Sequence, residues 1–497
     1  MDIPAFIWMI SVPLVASPVV YLSAHIFKKR RQSIAQWVGL VALILTWVPF
    51  ALAARDLQTY SPISFSLGGV TLFLDGLGLL LAAVSLGLGT IVILYSGPYI
   101  AGVAGQEKYY AMLVAMVGIM IGLGCAGDLF NLWIWFEAMA VSSYLLVAFY
   151  RDQPASLEAG VKYLVQSATG SVLVLLGIGF VLSQTGTLNL TEIRESADDS
   201  LVFLAAAALF VIGFGVKAAL VPLHTWLPDA HSQAPSGISA MLSGIVIEAG
   251  LVAMLRAVST LASVTPSWSG IFISFGILNM LIGNLFALRQ KQVKRLLAYS
   301  SLVHIGYMLI GLGVAFYALD VGGAQGSFFH LVNHGLMKGL AFLAAGALLY
   351  AFYLSAGKHA PLMVTDLSGT SRRYPVVAFA LSIALLSLAG LPPLAGFMSK
   401  WQIFVAGFQT HNQIIGAVVV FAALNSVLSL AYYAPLVNNM YKRDMSDVVQ
   451  AGKSLPVVMT IPLVLLALAV ILIGIWPNLL GWLTYPAGAS LLIAFGG

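Results

Sequence analysis

The sequence predicts an all-α, polytopic membrane protein of about fourteen transmembrane helices, two of them broken, near Pro222 and near Pro392-Pro393. Three observations predict it: the composition, the recurrence of apolar stretches, and the placement of basic residues between them. Of 497 residues, 60% are hydrophobic and 8% charged, whereas a soluble domain carries about 25% charged residues. A soluble chain of this length would form roughly two to four domains, and none could solvate its surface with so few charges. Most of the chain therefore faces lipid or other membrane helices.

Apolar stretches long enough to cross about 30 Å of hydrocarbon recur at 4–26, 34–54, 74–97, 110–126, 128–150, 159–183, 201–222, 236–262, 268–288, 294–318, 325–350, 375–396, 413–440 and 455–478. The first lacks a basic leading region and is too long for a signal-peptide core, so it reads as a membrane span. The positive-inside rule tests the count. Connections after odd-numbered spans hold 17 basic residues, from Lys28, Lys29, Arg30 and Arg31 to Lys453; those after even-numbered spans hold two, Arg55 and Arg194. The 184–200 connection is acidic instead, with Glu192, Glu195, Asp198 and Asp199. Both termini are therefore expected outside, with the basic loops toward the cytoplasm. The sequence pI near 9.1 is this topological signal rather than a sign of nucleic-acid binding. The single cysteine, Cys125, excludes an internal disulfide and a cysteine-ligated cluster or zinc site.

Four basic residues fall in or beside spans: Lys217, Arg256, Lys338 and Lys400. Glu137 and Glu248 join them. A charge at membrane depth costs a few kcal/mol on the most lenient scale, and charges kept at that cost usually face a protein interior or water. Lys217 precedes Pro222, which removes a backbone donor and crowds the preceding turn. Broken backbone survives in a membrane only where protein or a wet cavity surrounds it, and a lysine placed there can both hold and release a proton. Snorkelling to the interface is the plainer alternative. Lys400 follows a second break, Gly390-Leu391-Pro392-Pro393. The order of lysine and break reverses over five spans, as inverted-topology repeats require. The expected organisation is a three-helix segment at 1–109, repeats at 110–262 and 268–440, and a C-terminal helix and tail at 455–497.

Glu137, in Trp133-Ile134-Trp135-Phe136-Glu137, is a carboxylate among tryptophans and needs a partner or a proton. Lys217 is the candidate partner, and a purely structural ion pair is the rival reading. His330, His334 and Lys338 share one helix face at i, i+4 and i+8, with His304 on the preceding span. Histidine both donates and accepts near neutral pH, which suits a proton relay. No His-Glu-x-x-His with a third ligand supports a metal site, and polar helix packing is the remaining alternative. Glu248 and Arg256 lie about 12 Å apart along one helix, too far for contact. Lys291-Gln292-Val293-Lys294-Arg295 reads as a cytoplasmic anchor. No Gly-x-Gly-x-x-Gly follows a strand and opens a helix, so no cofactor is expected in this chain.

Lys217-Ala218-Ala219-Leu220-Val221-Pro222-Leu223-His224-Thr225-Trp226-Leu227-Pro228-Asp229-Ala230-His231 resembles the signature of the antiporter-like subunits of respiratory complex I, of Mrp-type cation/proton antiporters and of membrane-bound hydrogenases. The run from Lys294 to Tyr307, the His330-Leu331-Val332-Asn333-His334-Gly335-Leu336-Met337-Lys338 stretch and the Gly-Leu-Pro-Pro break before Lys400 resemble the same family. The resemblance spans roughly residues 70–440. It implies fourteen helices with two inverted five-helix repeats, and Glu137 with Lys217 as an input pair. It implies His304, His330, His334 and Lys338 as a central axis, and Lys400 as the exit lysine. Glu248 stands where the family commonly has a second lysine. His224, Asp229, His231 and Lys294 are supporting residues by the same resemblance. It further implies a proton-translocating subunit of an NADH-quinone oxidoreductase in the inner (plasma) membrane, without a redox centre or metal of its own. Its partners would be other membrane subunits and the bilayer, and its ions protons or Na+. An Mrp D-type or hydrogenase subunit is the alternative, and a stand-alone secondary transporter the more distant one.

Overall fold

Uninterrupted apolar sequence without water to compete leaves the helix as the backbone's only internally satisfied state, and helices dominate the chain. A computed structural model describes residues 3–26, 31–59 and 62–496; Lys28, Lys29 and Arg30 of the first basic loop lie outside the described residues. In order come α1 (Ala5–Ile26), α2 (Arg31–Thr59), a hairpin of β1 (Ile63–Leu67) and β2 (Val70–Leu74), α3 (Gly76–Tyr99), α4 (Gln106–Gly124), α5 (Leu129–Val147), α6 (Pro154–Thr185) and the short α7 (Leu190–Ser196). The first broken element follows, α8 (Leu201–Lys217) then α9 (Trp226–Gln233). Next are α10 (Ser236–Met241), a π turn at Leu242–Val246 and α11 (Ile247–Ser259), which run as one span. The second half holds α12 (Trp268–Ala287), α13 (Val293–Ala318), α14 (Val321–Phe352) and the single turn α15 (Thr370–Arg373). The second broken element is α16 (Pro375–Ala389) and α17 (Ala395–Gln409). Then come α18 (Gln413–Met440), the short α19 (Asp447–Ala451), α20 (Val457–Ile475) and α21 (Gly481–Ala494).

Among the described residues twelve helices are long and apolar enough to cross a membrane, and α8 and α16 are shorter apolar helices. Together they lie at the positions of the fourteen apolar stretches, twelve of which are long enough to cross as single helices. Three details differ from expectation. Leu74, expected to open the third span, instead ends a hairpin in which Val70–Leu74 pairs antiparallel with Ile63–Leu67, residues 63–73 having been assigned to no span. The twelfth span does not end near 396: it stops at Ala389 and resumes at Ala395, so Lys400 lies within its second half. The expected C-terminal tail contains α21, which packs against α3 and α14.

The starts of several spans are capped by short polar side chains, which satisfy free N–H groups. Asp75 accepts from Gly78 N at 2.8 Å, Asp128 from Asn131 N at 2.6 Å, and Asn412 from Ile414 N at 2.9 Å. The span formed by α10, the π turn and α11 is buried along its whole length, whereas α1 and α18 turn Val15, Val19, Leu424 and Val427 outward. Two glycine pairs set the approach of the helices that carry charge. A Cβ on Gly170 (α6) would lie 2.6 Å from the Gly213 carbonyl oxygen (α8), and one on Gly213 would lie 2.7 Å from that of Gly170. Gly244 and Gly335 meet likewise, a Cβ on Gly335 falling 2.8 Å from Gly244 O. Small residues at such crossings let membrane helices come close, and Gly335 adjoins His334.

Candidate functional site

Pro222 supplies no N–H, and α8 ends at Lys217. The Val221-Pro222 and Pro392-Pro393 peptides are both cis. The backbone freed at the first break is met from α12: Val221 N–H donates to Asn279 Oδ1 at 2.8 Å, and Asn279 Nδ2 donates to Ala219 O at 3.1 Å. Lys217 is fully buried, and its Nζ has no hydrogen-bond partner among the described residues. It sits 4.3 Å from the centroid of the Tyr163 ring. That ring lies parallel to Trp226 at 3.9 Å, and Trp226 Nε1 donates to Val216 O at 2.8 Å. The edge-to-face contact of Phe136 with Phe214, 4.9 Å between centroids, draws α5 against α8. It thereby places half-buried Glu137 within electrostatic reach of Lys217. The influence is through space, because Glu137 Oε1 and Lys217 Nζ both lack hydrogen-bond partners.

Glu248 follows the π turn, a local widening frequent at functional sites. It does not meet Arg256. Its Oε1 lies 2.6 Å from His334 Nδ1, and both side chains are wholly buried. The rings of His334 and His304 are 5.0 Å apart, and His304 Nδ1 is 3.0 Å from His330 Nε2. His330 Nδ1 is in turn 2.8 Å from Ser399 Oγ, and Ser399 is the residue before Lys400. Lys400 Nζ donates to Leu388 O at 2.9 Å and to Ser426 Oγ at 2.8 Å, across the second break, and lies 4.6 Å from the Tyr307 ring centroid. Lys338, one turn beyond His334, donates to Leu297 O at 2.7 Å and to the Ser300 hydroxyl. The row from Glu248 to Ser399 is thus a series of contacts between side chains that donate and accept protons, one of them a ring contact, and Lys400 lies beside its end over the Tyr307 ring, which itself meets His330 at 5.7 Å.

The supporting residues divide. Lys294 is buried rather than an exposed anchor; its Nζ donates to Ala234 O at 2.6 Å and lines a cavity of about 280 Å³ with Tyr99, Tyr150 and His359. His231 stacks on Phe342 at 4.8 Å, and neither ring nitrogen has a partner. His224 is buried, with Nδ1 unpartnered. Asp229 lies outside the row and clamps two helices, meeting Arg295 at 2.6 Å and Lys162 at 3.1 Å. Arg256, one of the six charges singled out from the sequence, has a structural setting. It pairs bidentately with Asp75 at 2.6 and 2.7 Å, and reaches Gly124 O at 2.8 Å. The described residues contain no group of three or more His, Cys, Asp or Glu side chains placed to hold a metal.

Sequence reasoning missed Ser399, Asn279, Ser426 and the ring faces of Tyr163 and Tyr307. The asparagine carried a signal, an amide inside an apolar span; the serines and tyrosines did not, being ordinary residues of membrane helices.

Two broken spans around buried lysine, glutamate and histidine side chains mark this as a polytopic helical membrane protein with ionisable groups at membrane depth. The family model described as NADH:quinone oxidoreductase/Mrp antiporter, transmembrane, matches residues 126–429. The F(420)H(2) dehydrogenase subunit N of Methanosarcina mazei is 31% identical over 479 residues, 94% of each chain. The NADH-quinone oxidoreductase subunit N of Desulforudis audaxviator is 30% identical over 433 residues, 82% of each. Among solved structures, a chain of the membrane-bound sulfane sulfur reductase, an archaeal respiratory membrane complex, superimposes with a TM-score of 0.87 at 28% identity, over 99% of this chain and 98% of that one. This chain belongs to the NADH:quinone oxidoreductase/Mrp antiporter family of membrane subunits.

Proposed function

We propose that this chain is a proton-translocating, antiporter-like subunit of a respiratory dehydrogenase complex of the NADH-quinone or F(420)H(2) dehydrogenase kind, as the names of its N-type relatives suggest. It works beside other membrane subunits and holds no redox centre itself. The observation that carries this reading is the contacting row Glu248, His334, His304, His330 and Ser399, with Lys400 beside its end over the Tyr307 ring. Protons load Lys217 from the basic-loop side under the influence of Glu137, cross by the histidines and Lys338, and leave past Lys400. The two halves, 110–262 and 268–440, act as inverted repeats, with their breaks on opposed arms of the path. The setting is the inner (plasma) membrane with both termini outside, as the 17-to-2 division of basic residues supports. The decisive experiment is Lys217→Ala in the assembled complex, reconstituted in proteoliposomes: proton uptake per electron should collapse while subunit content is retained. Full pumping by that variant would overturn the proposal.

A further inference from the structure

Both lysines at the helix breaks lie over a tyrosine ring, Lys217 at 4.3 Å from Tyr163 and Lys400 at 4.6 Å from Tyr307. The two seats differ in what else they offer. Lys400 donates to a carbonyl and a hydroxyl. Among the described residues Lys217 has no hydrogen-bond partner, and no carboxylate touches it. A desolvated ammonium without a partner is costly, and among the described residues the group that closely stabilises Lys217 is this ring face. We propose that Tyr163, held flat by Trp226, is the positioning residue that lets Lys217 carry its proton without a contacting counter-ion. The inference rests on the reading of Lys217 as a proton carrier.

The chemistry favours a ring over a carboxylate for this task. A carboxylate in contact would hold the ammonium tightly and accept its proton. An aromatic face attracts the cation through its quadrupole and has no lone pair in that direction to take the proton. The charge is then stabilised while the proton stays free to move on. Trp226 stacks at 3.9 Å with an angle of 2° between planes, which covers one face of Tyr163 and leaves the other for Nζ. The Trp226 Nε1 bond to Val216 O fixes that stack to the last turn of α8, so ring and lysine are carried by one unit. The phenolic hydroxyl of Tyr163 is buried beside Ser143, and the contact with Nζ is made by the ring face.

The test uses the assembled complex in proteoliposomes, with a pH-sensitive dye for proton movement, an electron-acceptor assay in parallel, and a subunit-content check. Tyr163→Phe keeps the ring and should pump within about twofold of the parent. Tyr163→Leu removes it, and the alkaline limb of the pumping profile should move about one pH unit toward acid, the equivalent of a desolvated cation–π contact. Tyr307→Leu should move it less, because Lys400 keeps its two hydrogen bonds. An unchanged profile in an assembled Tyr163→Leu complex would overturn the inference, as would equal loss in Tyr163→Phe. If Tyr163→Leu does not assemble, Trp226→Phe, which loses the bond to Val216 but keeps a ring against Tyr163, must give a smaller shift of the same sign. Full pumping by Lys217→Ala would instead sink the proton-carrier reading itself, which separates the two failures.

Discussion

Glu248 Oε1 lies 2.6 Å from His334 Nδ1, and neither side chain touches solvent. The contact joins α11 to α14 at the point where the family resemblance leads one to expect a lysine. A lysine there would present only donors, whereas a carboxylate accepts the imidazole N–H. Among the described residues Glu248 Oε2 and His334 Nε2 have no partner, so the pair has one free polar atom on each residue. On the proposed reading, these two atoms are where a proton would enter and leave the pair.

Glu248→Gln should keep the contact, since the amide oxygen accepts from His334, but it removes the titratable group. Proton yield per electron, read by dye quenching in proteoliposomes, is expected to fall roughly tenfold or more, with subunit content unchanged. Glu248→Lys should not restore function, because it sets a second donor against His334 with Lys338 one turn away. Normal coupling in the glutamine variant would mean that Glu248 only orients the histidine.

Ser399 joins the histidines to the second break through its 2.8 Å contact with His330. Ser399→Ala should interrupt transfer between His330 and Lys400 and lower proton yield by roughly tenfold. Ser399→Thr retains the hydroxyl and should retain most of the yield. Equal yields from the two variants would remove Ser399 from the path.

Arg256→Met leaves Asp75 buried without its partner, an imbalance of about 3–5 kcal/mol. The expected outcome is a lower melting temperature of the purified complex, or loss of this subunit from it. Adding Asp75→Asn should recover part of the loss, because the uncompensated charge is then gone. A melting temperature equal to the parent's in the single variant would show that the pair contributes nothing.

Asn279→Leu strips the first break of a donor and an acceptor. Val221 N–H and Ala219 C=O are then left unpaired, at about 1–3 kcal/mol each. Hydrogen–deuterium exchange over 215–226 should accelerate while exchange over α13 stays slow. Unchanged protection would mean that another group takes over both bonds.

Much of the fold was legible in the sequence because a bilayer allows so few alternatives: length, apolarity and loop charge locate the spans, and Pro222 and Pro392-Pro393 locate the breaks. The π turn before Glu248 and helix α21 were not legible, since neither has a compositional mark of its own. The hairpin at 63–74 was not legible either, its two five-residue strands being far shorter than a span and lying almost wholly between two of them.

The division is clearest for the charged residues. Burial cost alone singled out Lys217, Glu248, Lys338, Lys400 and Arg256, because an ionisable side chain in a membrane span must answer to something. Which group it answers to depends on neighbours far away in the chain, and only the packing of helices decides that. Arg256 meets Asp75, 181 residues away, and becomes a clamp. Glu248 meets His334, 86 residues away, and joins the row. Spacing along one helix can exclude a partner but cannot choose one, because contact energies act over a few ångströms in space and without regard to order in sequence.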